Sequence, residues 1–181
     1  MNATESSSPP AQKLVLGAGC FWCVEGLYED LPGVLSVVSG YAGGKEANPT
    51  YELVTSKKTD HAEVVEITFD PSVVTAEKLL EIFWASHDPT DPRGVAPDFG
   101  RNYRSILLYA NQEQKELFER SKAAIASSHN RPIATEIVAL EAFWPAEDYH
   151  QDFVARNPRH PYVQRVSKPR IEETHQSIRG K

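Results

Sequence analysis

Leu14, Val15 and Leu16 run straight into Gly17-Ala18-Gly19, and from Cys20 onward Val24, Leu27, Tyr28 and Leu31 recur at helical spacing. A chain patterned this way buries a short strand, turns tightly at the glycines and enters a helix with one apolar face. Pro32-Gly33 ends that helix. The junction fixes where Cys20 stands, at a helix start, where unpaired backbone N–H groups and the positive end of the helix dipole collect.

The pattern continues along the chain. Residues 34–41 read as a second strand closed by Gly43-Gly44, and the stretch to Asp60 as a long loop. Residues 61–69 form a third strand, and Thr75 caps a helix whose Leu79, Leu80, Ile82 and Phe83 face the core. A second long loop covers 87–100, and a strand covers 103–109 around Ile106-Leu107-Leu108. Asn111 caps a long helix in which Leu117, Phe118, Ser121, Ala124 and Ile125 make one stripe. Pro132 precedes a last strand over 135–140, a short helix lies within 148–157, and a polar tail of mixed charge closes the chain. The order β-α-β-β-α-β, with a further helix and strand, predicts an α+β two-layer sandwich with helices on a mostly antiparallel sheet. In domain terms, residues 1–11 are a flexible tail, 12–160 a single catalytic domain and 161–181 a C-terminal extension.

Bulk properties narrow the function. The 181 residues, 40% hydrophobic and 24% charged, suit one globular domain. A net charge of −6 argues against nucleic acid or an anionic membrane as partner, since both demand a basic face. No apolar run approaches the roughly 18 residues that span a bilayer. The Ser/Pro-rich start lacks the basic and apolar regions of an export signal. Two cysteines make no secreted disulfide framework, so reducing cytoplasm is the expected address. No His and Cys set has metal-ligand spacing, so no metal is expected.

The cysteines form Cys20-Phe21-Trp22-Cys23. Only a thiolate is a strong nucleophile, and the helix start favours a negative sulfur at Cys20. A buried structural cysteine is the alternative. Phe21 and Trp22 are either core or the walls of an apolar slot beside the sulfur. In the third strand, alternation sets residue 63 on the face of Val65, Ile67 and Phe69, so Glu63 points inward. A carboxyl there has a raised pKa, keeps its proton near neutrality and can act as a general acid.

The motifs as a set resemble the peptide methionine sulfoxide reductase A family. The likeness begins at Gly19-Cys20-Phe21-Trp22 with Glu25 and runs through Leu31-Pro32-Gly33-Val34 and Ser39-Gly40-Tyr41-Ala42-Gly43-Gly44. It continues through Asn48-Pro49-Thr50-Tyr51-Glu52, His61-Ala62-Glu63-Val64-Val65, Phe83-Trp84, His87-Asp88-Pro89-Thr90 and Tyr103-Arg104-Ser105. It ends at Pro145-Ala146-Glu147-Asp148-Tyr149-His150-Gln151. The resemblance implies a ferredoxin-like core and reduction of the S epimer of methionine sulfoxide, free or in proteins. It makes Cys20 the nucleophile, with Phe21 and Trp22 holding the substrate methyl group. Glu63 becomes the proton donor to the sulfoxide oxygen, and the Tyr51 and Tyr103 hydroxyls bond that oxygen. Asp98 helps build the site. A cysteine sulfenic acid would follow, reset by a thioredoxin-type thiol reductant with no bound cofactor. A monomer is expected. His61, His87 and His150 are read as structural.

Relatives often carry recycling cysteines near the C-terminus, whereas Ser177-Ile178-Arg179-Gly180-Lys181 has none. Cys23, one helical turn from Cys20, is then the internal resolving candidate, set against direct attack by an external thiol. Asp60, Thr55, Asn102 and Trp144 also depart from the usual pattern, without removing a catalytic group. The rival is a thioredoxin-like dithiol-disulfide oxidoreductase with Pro132 beside its redox pair. It explains neither the inward Glu63 nor the two tyrosines.

Overall fold

In the computed structural model, residues 9–180 are described; positions 1–8 of the expected N-terminal tail lie outside them. The chain forms β1 (Gln12–Ala18), α1 (Phe21–Tyr28), β2 (Val34–Ala42), α2 (Tyr51–Thr55), β3 (Ala62–Phe69) and α3 (Ala76–Ala85). There follow β4 (Gly94–Val95), β5 (Asp98–Phe99), β6 (Ser105–Tyr109), α4 (Gln112–Ala126), β7 (Glu136–Ala139) and β8 (Trp144–Pro145), then α5 (Phe153–Arg156) and α6 (Lys168–Arg179). Six strands make one sheet in the order β7-β6-β1-β3-β2-β8. All its pairings are antiparallel except β6 with β7. This is the α+β sandwich with a mostly antiparallel sheet that the pattern predicted.

The strands stay where they are because both sheet faces are covered. On one face Leu14, Leu16, Val65, Ile67, Phe69 and Leu107 pack under Val24 and Leu27 of α1, Leu79 and Phe83 of α3 and Phe118 of α4. Val15, Val64, Ile106 and Leu108 form a smaller cluster on the other, closed by Val138, Leu140 and Phe143. Thr75 Oγ1 accepts the Lys78 amide at 3.2 Å and Asn111 Oδ1 the Gln114 amide at 2.9 Å, so both expected caps are present.

Three regions differ from the sequence reading. The loop to Asp60 contains α2, started by Thr50 accepting the Leu53 amide at 3.3 Å. The loop over 87–100 holds the β4–β5 hairpin. The expected polar tail is helical: a π-turn over Val163–Ser167 leads into α6. It is held by packing rather than propensity, with Ile171 and Ile178 against the main core and His175 Nε2 at 2.9 Å from the Leu27 carbonyl. The α4 stripe is narrower than expected, since Ala124 is exposed. No helix among the described residues is long and apolar enough to cross a membrane.

Candidate active site

Cys20 is the residue immediately before α1, and its carbonyl accepts the amides of Cys23 and Val24. Gly19 makes the turn with φ of +83°, and a Cβ there would stand 2.9 Å from the Val95 Cβ. A Cβ on Gly17 would stand 2.6 Å from the Glu63 carbonyl oxygen. The two glycines thus let β1 press against β3 and let the hairpin close over the turn. Glu63 lies on the face of β3 that carries α1. It is 1% exposed, and its Oε2 accepts the Phe21 amide at 3.0 Å. The carboxyl therefore docks on the first N–H of the helix that begins beside the thiol. Burial pushes its pKa up to about 8, and the nearby charge of Asp98 adds to this against the Phe21 amide.

The expectation for Cys20 itself is reversed. Burial comes first, then the hydrogen bond to Cys23 and the charges of Glu63 and Cys23, and together they raise its pKa; only the Trp22 amide opposes them. The residue is 7% exposed, and desolvation outweighs the helix start. Cys23 moves the other way, down to about 6. The bond from Cys20 is the largest cause, and Arg170, Ser167 and Tyr162 act in the same direction against burial. Both thiols are free. The two titrate as a pair rather than singly.

Aromatic residues surround this pair. Phe21 is buried against Tyr41 and His150, with centroids 5.7 and 4.9 Å away. Trp22 stacks on Phe153 at 3.6 Å and 4°, with its Nε1 donating to His150 Nδ1 at 3.0 Å. Tyr51 and Tyr103 are half-buried. Burial first, and then the charges of Glu63, Cys20 and Asp98, raise both phenols, Tyr51 to about 12, so both remain protonated donors. Asp98 accepts a short hydrogen bond from Tyr162, whose hydroxyl is also 3.9 Å from Cys23 Sγ. Surface grooves also lie away from this cluster, for example past Lys13, Asn111 and Leu117.

Several supporting residues had no role in the sequence reading. Glu147 accepts the Tyr41 hydroxyl at 2.9 Å and the Tyr51 amide at 3.0 Å, fixing the start of α2 against β2. Ser167, Tyr162 and Arg170 come from the segment read as a polar tail. Their signal was faint: Ile171, Thr174 and Ile178 at helical spacing. His61 accepts the Gly44 amide at 3.1 Å, and His87 Nε2 lies 2.7 Å from Ser105 Oγ, both consistent with structural use. Asp60 pairs with Arg101 at 2.9 Å, which accounts for a carboxylate where the pattern usually has glycine. Among the described residues, no group of three or more His, Cys, Asp or Glu is arranged to hold a metal ion.

A helix-start cysteine with a second thiol one turn on, beside a buried carboxyl of raised pKa on a mostly antiparallel sheet, is an arrangement suited to a thiol-dependent reductase. The family model described as peptide methionine sulfoxide reductase matches residues 12–181, and the chain belongs to that family. It is similar to the peptide methionine sulfoxide reductase MsrA of Sulfolobus acidocaldarius, 48% identical over 158 residues, covering 87% of this chain and 90% of that protein. It is also similar to MsrA of Haloquadratum walsbyi, 43% identical over 171 residues, covering 94% and 98%. Among solved structures, reduced Mxr1 from Saccharomyces cerevisiae superposes with a TM-score of 0.79 at 31% identity, covering 83% of this chain and 87% of that one. Methionine sulfoxide reductase A of Corynebacterium diphtheriae gives 0.76 at 32%, covering 85% and 78%. The thioredoxin-like alternative is not favoured, and Pro132 is exposed.

Proposed function

We propose that this protein reduces the S epimer of methionine sulfoxide, free or in proteins, to methionine, and so repairs oxidative damage. One observation carries the reading: the buried Glu63 carboxyl, its pKa raised by that burial, accepts the amide next to Cys20, so the proposed acid and nucleophile share one helix terminus. The sulfoxide sulfur meets the Cys20 sulfur, and the substrate methyl group lies against Phe21 and Trp22. The sulfoxide oxygen is a poor leaving group, so Glu63 protonates it while Tyr51 and Tyr103 hydrogen-bond it as charge develops. Asp98 orders this side of the site through Tyr162. The Cys20 proton passes to Cys23. The S–O bond of the sulfoxide breaks as the protonated oxygen passes to the Cys20 sulfur, so Cys20 is oxidised by two electrons to a sulfenic acid and methionine departs with the electron pair on its sulfur.

Cys23 then attacks the sulfenic acid, giving the Cys20–Cys23 disulfide and water. An external thiol reductant of the thioredoxin type reopens it, with no bound cofactor; yeast Mxr1 has been solved in complex with Trx2. Free cysteines and a net charge of −6 fit a reducing cytoplasmic setting, without nucleic acid or membrane as partner. We take the protein to act as a monomer, with residues 12–160 as catalytic domain and 161–181 as an extension packed back on it. The test is turnover of the separate S and R epimers with thioredoxin as donor. Selective loss of the S epimer supports the reading; equal use of both, or insulin disulfide reduction in their place, contradicts it.

A further inference from the structure

Cys23 is completely buried, yet polar groups from outside α1 converge on its sulfur. Ser167 Oγ lies 3.2 Å away at the junction of the π-turn and α6. The Tyr162 hydroxyl, at 3.9 Å, bridges to Asp98 of the β4–β5 hairpin. Arg170 is anchored beside them by donating to the Ala18 carbonyl at 2.7 Å and the Ser86 carbonyl at 2.8 Å. A buried structural cysteine needs only apolar neighbours. A hydroxyl able to donate and a fixed guanidinium are instead what a desolvated sulfur anion requires, and Tyr162, its proton given to Asp98, closes the space beside them.

We infer that the C-terminal segment builds a thiolate site for Cys23, with Ser167 and Arg170 as positioning residues that keep the negative charge of the Cys20–Cys23 pair on the inner sulfur. This rests on the assignment of Cys23 as resolving thiol and extends it to the order of sulfur chemistry. In the resting protein the Cys20 thiol donates to the Cys23 thiolate. After the sulfoxide is reduced, the S–O bond of the sulfenic acid breaks as Cys23 bonds to Cys20, and the hydroxide takes up a proton to leave as water. When an external thiolate arrives, it reaches Cys20, the more exposed sulfur. The disulfide breaks, the reductant is joined to Cys20, and the electron pair leaves on Cys23. A second thiol of the reductant then attacks the reductant's own sulfur and frees Cys20 as a thiol, so two electrons have entered the pair. A sulfur with a low pKa leaves faster, so the same groups serve both halves of the cycle. The charged or titratable groups facing Cys23 are Cys20 and Glu63, and Tyr162 and Arg170 from the C-terminal segment, with Asp98 behind Tyr162.

The test isolates each thiol. Thiolate absorbance near 240 nm is titrated in Cys20→Ser, where only Cys23 remains, and in Cys23→Ser, where only Cys20 remains. Cys23 alone is expected to ionise below the free-thiol value of about 8.5, and Cys20 alone above it. Adding Ser167→Ala to Cys20→Ser raises the Cys23 midpoint by about one pH unit, the worth of a hydrogen bond to a charged group. Ser167→Thr, which keeps a hydroxyl, leaves it near the parent value. The reverse order of the two midpoints, or no movement with Ser167→Ala, overturns the inference. Glutathione added to the oxidised wild-type protein is expected on the Cys20 peptide by mass mapping, and an adduct on Cys23 counts against the proposed direction of opening. Failure here is distinct from failure of the proposed function, which turns on whether methionine sulfoxide is reduced at all.

Discussion

Burial holds the proton on Glu63 well past the ordinary carboxyl range, which is what the proposed role as an acid requires. With the folded pKa at about 8 and the ordinary value at 4.5, both folded and unfolded chains hold the proton below pH 4.5. Between 4.5 and 8 only the unfolded chain releases it, so this group's contribution to stability is lost as pH rises through that window. The same titration governs catalysis: single-turnover methionine release is expected to fall on the alkaline side with an apparent pKa near 8. Glu63→Gln should lose that limb and about 10²–10⁴-fold in rate, while unfolding at pH 8 or above shows equal or greater stability. A variant that keeps wild-type rates removes Glu63 from the mechanism. The inward direction of this carboxyl was legible from strand alternation alone. The ionisation of Cys20 was not, because a helix start is a local feature and the burial that overrides it comes from distant elements.

At the scale of elements, the contact between β1 and β3 sets the distance between thiol and acid. Gly17→Ala would push a Cβ to 2.6 Å from the Glu63 carbonyl, and backbone cannot yield there as a side chain would. It should destabilise by about 1–3 kcal/mol and lower activity by more than the stability loss explains, because Glu63 moves with its strand. Chemical denaturation and single-turnover rates on the same preparation check this. Unaltered activity in a destabilised Gly17→Ala protein would separate the two effects and refute the link. Most elements were readable in advance because apolar periodicity and caps coincide, as at Thr75 with Leu79 and Leu80 or at Asn111 with Phe118. The misses share a cause. Residues 51–55 are too short for a period, β4 and β5 are two residues each, and α6 buries only Thr174 fully and takes its helical form from its packing on α1 and α3.

For the whole molecule, the C-terminal segment joins the core, the turn before Cys20 and the roof over Cys23. Removing residues 163–181 strips Ile171 and Ile178 from the core and leaves the Ala18 and Ser86 carbonyls without Arg170. The truncated protein is expected to melt at a lower temperature and to alkylate at Cys23 far faster than the intact one. An unchanged melting temperature would make the segment an appendage. The most direct measurement of the central claim is methionine released from methionine S-sulfoxide in the absence of reductant, alongside thiol mapping. The account predicts one methionine per chain, appearance of the Cys20–Cys23 disulfide, and no release from Cys20→Ser. Methionine produced by Cys20→Ser would contradict it.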